Sequence, residues 1–348
     1  MKRNFTLLLF LLFNGLMLHA QTEVVSGLSD PYRFALDGDD LYISEFSGDK
    51  IVKIDLTDPT PTPVDVVTGL NSPAGLAISG NNLYIAEFLG SRISVVDISD
   101  PSPTREDFIT GLAGPTDLLL DGNNLYITDI SSDDLRVVDI TDPTPTADLV
   151  FSPLADPYGM ILDGTELFIV ELGFNRVVKI DLADSTPVKV DVATGLFDPD
   201  DIALDGSILY ITEYFGNQLS KVDLTSGSTA ITPIESGLDT PAGLLIIADE
   251  LFLAEGSAGR VLKYDLNVLS VDEFTLGNQL SLYPNPSSDF LNIAGLEAEV
   301  DFTIYNVLGA EIKSGTLSVQ QQIDIQELKT GVYMLQLENG NVLRFVKE

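Results

Sequence analysis

Asp37-Gly38-Asp39-Asp40-Leu41-Tyr42-Ile43-Ser44-Glu45 decides the fold, because its pattern returns at a constant interval. The Leu-aromatic-aliphatic core of this stretch recurs at Leu41, Leu83, Leu125, Leu167, Leu209 and Leu251, each 42 residues after the last. A proline keeps the same register at Pro31, Pro73, Pro115, Pro157, Pro199 and Pro241, and an aspartate at Asp55, Asp97, Asp139, Asp181, Asp223 and Asp265. Each copy reads as four short strands. In the first, Arg33 to Asp37 is innermost, and Asp37-Gly38-Asp39 makes a tight hairpin with Gly at a left-handed position. Leu41 to Glu45 is the second strand, alternating and rich in β-formers. Lys50 to Leu56 is the third. Thr57-Asp58-Pro59-Thr60-Pro61 then breaks the ladder, since proline has no N–H to donate. Pro63 to Thr68 is the outer strand. Four strands at this period make a propeller blade. Six copies predict an all-β fold, a six-bladed β-propeller.

The chain ends supply the closure. The last copy stops after Tyr264-Asp265-Leu266 and lacks an outer strand. Glu23-Val24-Val25-Ser26-Gly27-Leu28 matches the outer-strand ending Asp65-Val66-Val67-Thr68-Gly69-Leu70, one repeat earlier in register. The N-terminal segment is therefore expected to complete the sixth blade and hide a strand edge. A solenoid is the structural alternative, but it would want capping repeats instead.

Composition narrows the chemistry. The chain has 18 Lys and Arg against 53 Asp and Glu, a net charge of −35. Such acidity excludes most nucleic-acid and anionic-membrane roles, because phosphate binding needs a basic surface. There is no Cys and no Trp, and the single His is His19. Residues 1–20 read as a secretory signal peptide: Lys2 and Arg3, an apolar run from Phe5 to Phe13, then Leu18-His19-Ala20 before Gln21. An uncleaved anchor is the alternative there. Beyond it, no segment approaches the length of an apolar membrane span. A mature chain from Gln21 holds no thiol, no imidazole and no disulfide, which removes Ser-His-Asp hydrolysis, thiol catalysis and His- or Cys-held zinc. The remaining hard oxygen ligands suit Ca²⁺ better than Zn²⁺.

Pro73-Ala74-Gly75-Leu76-Ala77-Ile78, followed by Leu83-Tyr84-Ile85-Ala86-Glu87 and Ser91-Arg92-Ile93, resembles an NHL-type repeat. The resemblance spans residues 22 to 268 and implies the propeller fold without fixing an activity. An acidic residue ends every second strand: Glu45, Glu87, Asp129, Glu171, Glu213 and Glu255. A basic residue follows five positions on at Lys50, Arg92, Arg176 and Arg260, while Asp134 and Gln218 depart from the pattern. A ring of ligating carboxylates is one reading. A repeated ion pair bracing each blade is the preferred one, worth about 0–1 kcal/mol each if exposed.

Function is expected where the symmetry breaks. The two residues after each repeat proline face the channel mouth: Tyr32-Arg33, Ala74-Gly75, Thr116-Asp117, Tyr158-Gly159, Asp200-Asp201 and Ala242-Gly243. The ligand-binding candidates are Tyr32, Arg33, Asp117, Tyr158, Asp200 and Asp201, rimmed by Phe46, Phe88, Phe174, Tyr214 and Phe215. The plainer alternative is that they only plug the channel. Arg33 is expected to bridge Asp117 and Asp201, and to offer donors to an anionic or hydroxyl-rich ligand.

After the array, residues 269–277 read as a linker and 278–348 as a small antiparallel β-sandwich. Leu282-Tyr283-Pro284-Asn285-Pro286, Tyr305-Asn306-Val307-Leu308-Gly309 and Gly331-Val332-Tyr333 closely resemble, in order and spacing, the C-terminal sorting domain of the type IX secretion system. The resemblance implies partnership with that machinery through residues 278–348 and a destination outside the outer membrane. An ordinary adhesion sandwich is the other reading.

The chain thus divides into signal peptide 1–20, propeller 21–268, linker 269–277 and sorting domain 278–348. The favoured function is a secreted or surface-displayed propeller, expected to be monomeric, that binds a glycan, peptide or protein at the channel mouth, with no catalytic residue assigned. The alternative is a metal-dependent hydrolase or lactonase of the gluconolactonase-like kind, although the chain shows no Asn at the six mouth positions. A glycosidase pairing among Asp117, Asp200 and Asp201 is the third class considered.

Overall fold

The computed structural model describes residues 21–269 and 281–348, except 295, 297–298, 307–309, 319–321 and 338–341. The signal peptide and most of the linker expected from sequence lie outside the described residues. Two compact units divide at Leu269.

Six four-stranded antiparallel sheets make up the first unit. The first blade runs Pro31–Asp37, Asp40–Glu45, Lys50–Asp55 and Val64–Thr68 from axis to rim. The other innermost strands are Pro73–Ser79, Pro115–Asp121, Pro157–Asp163, Pro199–Asp205 and Pro241–Ile247. Each contacts the next, and Pro241–Ile247 contacts Pro31–Asp37, so the ring is closed.

Strand alternation explains the packing. Successive side chains point to opposite sheet faces. Leu41 and Ile43 pack towards the sixth blade with Phe252 and Ala254. Tyr42, between them, packs towards the second blade with Leu76 and Leu83. The same division gives six apolar layers, one between each pair of neighbouring blades. Neither face of any blade is free, which is why both parities of the second strand are apolar.

Gln21–Ser26 pairs antiparallel with Arg260–Asp265, from Gln21 opposite Tyr264 to Ser26 opposite Arg260. The N-terminal strand is the outer strand of the sixth blade, and Val25 and Leu28 are buried where the first and sixth blades meet. Leu266–Leu269 is one helical turn at the end of the propeller. Leu266 and Leu269 are both buried in the layer between the fifth and sixth blades.

The innermost strands begin two residues earlier than the sequence reading placed them. Pro31 pairs with Glu45 and Phe34 with Ile43, so Tyr32 and Arg33 together oppose Ser44. Such a bulge leaves extra residues unpaired and re-aims their side chains. It recurs in every blade.

The acidic residue ending each second strand is a buried brace, not half of an exposed pair. Glu87 accepts Arg92 Nε at 2.9 Å, Arg92 Nη2 at 2.8 Å, Arg105 Nη1 at 3.2 Å and the Asn71 N–H at 2.9 Å. Ser94 Oγ also donates to it. Burial alone would raise this carboxyl; the donors outweigh it and hold it down at about 2. The backbone bond recurs from Ala113 to Asp129, Ala155 to Glu171, Phe197 to Glu213 and Asp239 to Glu255. Each acid thus fixes the loop leading into its own innermost strand. In the fifth blade Gln218 Nε2 serves as a neutral donor to Glu213 at 2.6 Å. In the third, Asp129 takes two backbone N–H groups, from Ala113 and Gly114.

The second unit is a sandwich of one three-stranded and one four-stranded sheet. Its core includes Leu291, Ile304, Leu335 and Phe345. The motif residues build it. Asn285 bonds the last strand twice, donating to the Arg344 carbonyl at 3.0 Å and accepting from the Val346 N–H at 2.9 Å. The Tyr333 hydroxyl donates to the Lys329 carbonyl at 2.9 Å, and its ring stacks on Phe345 with centroids 5.5 Å apart.

Candidate functional site

Arg33 fills the channel axis with 3% of its surface exposed. Its Nη1 lies 2.5 Å from Asp200 Oδ1, and Nη2 donates to the Asp200 carbonyl at 3.1 Å. Nε faces Asp201 Oδ2 at 3.6 Å and Asp117 Oδ1 at 3.8 Å, too far for a direct hydrogen bond. The expected bridge between Asp117 and Asp201 therefore gives way to a guanidinium held by Asp200. The bulge is the reason: it turns residue 200 inward as well as residue 201. Asp117 and Asp201 each spend an oxygen on the backbone of the next blade, accepting the Met160 N–H at 3.0 Å and the Leu244 N–H at 2.8 Å. Burial pushes Asp117 up to about 6 and Asp201 up to about 7, against the downward pull of Arg33.

Alternation around the ring follows from space. A Cβ on Gly75 would stand 2.6 Å from Asp117 Cα, one on Gly159 2.2 Å from Asp201 Oδ1, and one on Gly243 2.2 Å from the Tyr32 carbonyl oxygen. Each glycine lets the charged residue of the following blade come close. Odd blades carry a matching hydroxyl that accepts the bulge N–H: Ser44 for Arg33 at 2.9 Å, Thr128 for Asp117 at 3.0 Å and Thr212 for Asp201 at 3.0 Å. Even blades have Ala86, Val170 and Ala254 there. This Ser-Ala-Thr-Val-Thr-Ala series is the sequence signal of the alternation. Gly159→Ala is expected to cost about 1–3 kcal/mol through overpacking against Asp201. Chemical denaturation measures it, and an unchanged midpoint would show that the layer is loose.

Above this layer lies a cavity of about 270 Å³, walled by Tyr32, Phe46, Phe88, Tyr158, Tyr214 and Phe215, with Asp30, Asp198 and Asp200 among its linings. The Tyr32 hydroxyl donates to Asp200 Oδ2 at 2.9 Å, and its ring carries the Arg33 guanidinium at 4.4 Å. Burial, then the Asp200 charge, raises the Tyr32 and Tyr158 hydroxyls well above the usual phenol range. Below the layer the innermost strands enclose a second space of about 490 Å³, with Arg33, Asp117 and Asp201 at one end. The six candidates thus divide: Tyr32, Tyr158 and Asp200 face the mouth, while Arg33, Asp117 and Asp201 line the other compartment.

One rim assignment changes. Phe174 is 64% exposed, and Arg176 stacks on its ring at 5.1 Å. Leu172 lines the mouth instead. In four blades the residue directly after the strand-ending acid lines the mouth, namely Phe46, Phe88, Leu172 and Tyr214, whereas Phe174 sits two places beyond Leu172. Asp30 and Asp198, which precede the repeat proline, also line the mouth and lie outside the pair of positions after it that sequence pointed to.

A divalent metal of the kind the lactonase alternative implies does not fit this centre. The Arg33 guanidinium occupies the point where Asp117, Asp200 and Asp201 converge. Among the described residues no group of three or more Asp, Glu, His or Cys is placed to hold a metal ion. Nor is any helix among them long and apolar enough to cross a membrane.

Comparison with known proteins fits both units. The family model for a secretion system C-terminal sorting domain matches residues 281–347. The LVIVD repeat matches residues 73–109 and 115–149, the second and third copies of the array. No curated protein matches the chain in sequence. Among solved structures, a catalytically inactive histidine-to-alanine variant of virginiamycin B lyase from Staphylococcus aureus, with quinupristin, is 18% identical with a TM-score of 0.52, covering 68% of this chain and 80% of its own. A luciferin-regenerating enzyme is 13% identical with a TM-score of 0.58, covering 70% and 94%. A gluconolactonase candidate is 12% identical with a TM-score of 0.58, covering 70% and 91%. At these identities the likeness carries the propeller fold alone. The chain is a six-bladed β-propeller joined to a type IX secretion sorting domain, and it is secreted or held at the cell surface.

Proposed function

We propose that the mature protein, freed of residues 1–20, acts as a monomeric extracellular binding propeller whose ligand enters the mouth above Arg33. The carrying observation is the concave cavity itself, with aromatic walls on several blades and carboxylates at its base. Arg33 supports the site from beneath, because its donors are turned to Asp200 and its surface is buried. That favours a positioning role over the direct contact with an anion expected from sequence.

Catalysis is the second reading, and the residues favour it less. The lyase relative named above is inactivated by loss of a histidine, and this chain has only His19. A metal bound by Asp117, Asp200 and Asp201 would compete with Arg33, which lies among them. Glycan and peptide arrays probed with residues 21–348 test the binding reading. The double variant Phe88→Ala, Tyr158→Ala is expected to lower binding at least tenfold, with the melting temperature of the sorting domain unmoved. Binding that survives the double change would move the site elsewhere on the propeller.

A further inference from the structure

The mouth holds more negative charge than its cation can balance. Asp30, Asp198 and Asp200 line it, and no Lys or Arg does. Arg33, beneath, already faces Asp117, Asp200 and Asp201, so three acids meet one guanidinium before Asp30 and Asp198 are counted. Burial and then the neighbouring Asp200 charge raise the Asp198 carboxyl, against the pull of a hydrogen bond from the Phe215 backbone. The Asp198 backbone has φ 58°, in the left-handed region.

The aromatic walls add attraction of the same sign. A ring face draws a cation by its quadrupole, by about 0.5–2 kcal/mol depending on desolvation. The site already displays this contact in the Arg33 guanidinium over Tyr32. The rings of Phe46, Phe88, Tyr158 and Tyr214 remain for a second cation. A neutral hydroxyl would donate hydrogen bonds to these carboxylates but leave their charge uncompensated in a partly desolvated cavity. The wall is lowest at the sixth blade, where the residue after the strand-ending acid is Gly256. A Cβ there would sit 2.6 Å from Asp30 Oδ1, so Asp30 flanks the low side.

We propose that the mouth selects a ligand bearing an alkylammonium group on an apolar stem, with Asp198 and Asp200 as its charge partners and the ring faces of Phe88, Tyr158 and Tyr214 as its walls. This rests on the reading of the mouth as the ligand site. The cavity volume of about 270 Å³ gives room for a head group and a short stem, with the rest of a larger ligand outside.

The test uses residues 21–348 with ring-¹³C tyrosine, observed by NMR at pH 7.5 and low salt. The probes are phenethylammonium, the neutral 2-phenylethanol and the anionic 3-phenylpropionate. Tyr32, Tyr158 and Tyr214 signals, assigned by Tyr→Phe variants, are expected to saturate with the ammonium at concentrations at least tenfold below those of the alcohol, and not to move with the carboxylate. Asp198→Asn is expected to weaken the ammonium about tenfold, and Asn accepts the left-handed backbone there. Equal response to the ammonium and the alcohol, or an unaffected Asp198→Asn, overturns the cationic class and leaves the mouth as a binding site. If no probe moves the mouth tyrosines, the inference and the binding reading both fall.

Discussion

Arg33→Met is expected to destabilise the propeller by about 3–5 kcal/mol at pH 7.5, because it leaves buried carboxylates without their cation. Methionine keeps most of the stem's length and removes only the guanidinium. The loss has a pH signature. In the native protein burial holds Asp117 at about 6 and Asp201 at about 7, above their unfolded values. The folded state therefore binds protons that the unfolded chain has released. These two acids weaken the fold above pH 7, and the lost stability returns as pH falls through 7 and 6 towards 4. Without Arg33 both carboxyls rise further, so the variant's deficit should be larger at pH 8 than at pH 5. Denaturant titrations of both proteins at the two pH values measure it. A deficit equal at both, or larger at pH 5, would mean that the guanidinium does not neutralise this pair.

Deleting residues 21–26 is the second large change. It strips the outer strand from the sixth blade and exposes the edge of Arg260–Asp265. Burying Val25 contributes about 1.5–3 kcal/mol and each ladder hydrogen bond about 0.5–1.5 kcal/mol. A loss on the order of 5 kcal/mol follows, together with a tendency to self-associate through the bare edge. Melting curves and light scattering on chains starting at Gln21 and at Gly27 report both. An unchanged melting temperature would contradict closure by this strand. Ending the chain at Leu269 should be mild by comparison, since Leu266 and Leu269 keep their places between the fifth and sixth blades.

The array was legible because a blade is short-range. Leu41-Tyr42-Ile43 shows its parity, Asp37-Gly38-Asp39 its hairpin, and the 42-residue interval its count. Even the closing strand could be read, since Val24-Val25-Ser26-Gly27 copies a motif present elsewhere. The site was legible only in part. Counting from each proline found Tyr32, Arg33, Asp117, Tyr158, Asp200 and Asp201, and they do gather at the axis. Their division between two compartments was hidden, because it depends on a bulge that no residue type announces. The partner of Arg33 was mistaken for the same reason. The burial of Glu87 and its counterparts was also missed: a repeated acid looks solvated until the loop at Asn71 and the side chains of Arg92, Ser94 and Arg105 are seen to close on it.

The alternation of glycine and charged residues has a bearing on how such a ring can change size. Its true period at the axis is two blades, 84 residues, although the blades repeat every 42. Copying or losing a single blade would set two bulky members or two glycines side by side at the seam. The first collides, and the second opens a gap through the plug. Only an even number of blades closes without a fault, so the axial layer acts as a parity check on the whole array. Blades of this kind can be gained or lost in pairs, as couplets rather than as single letters.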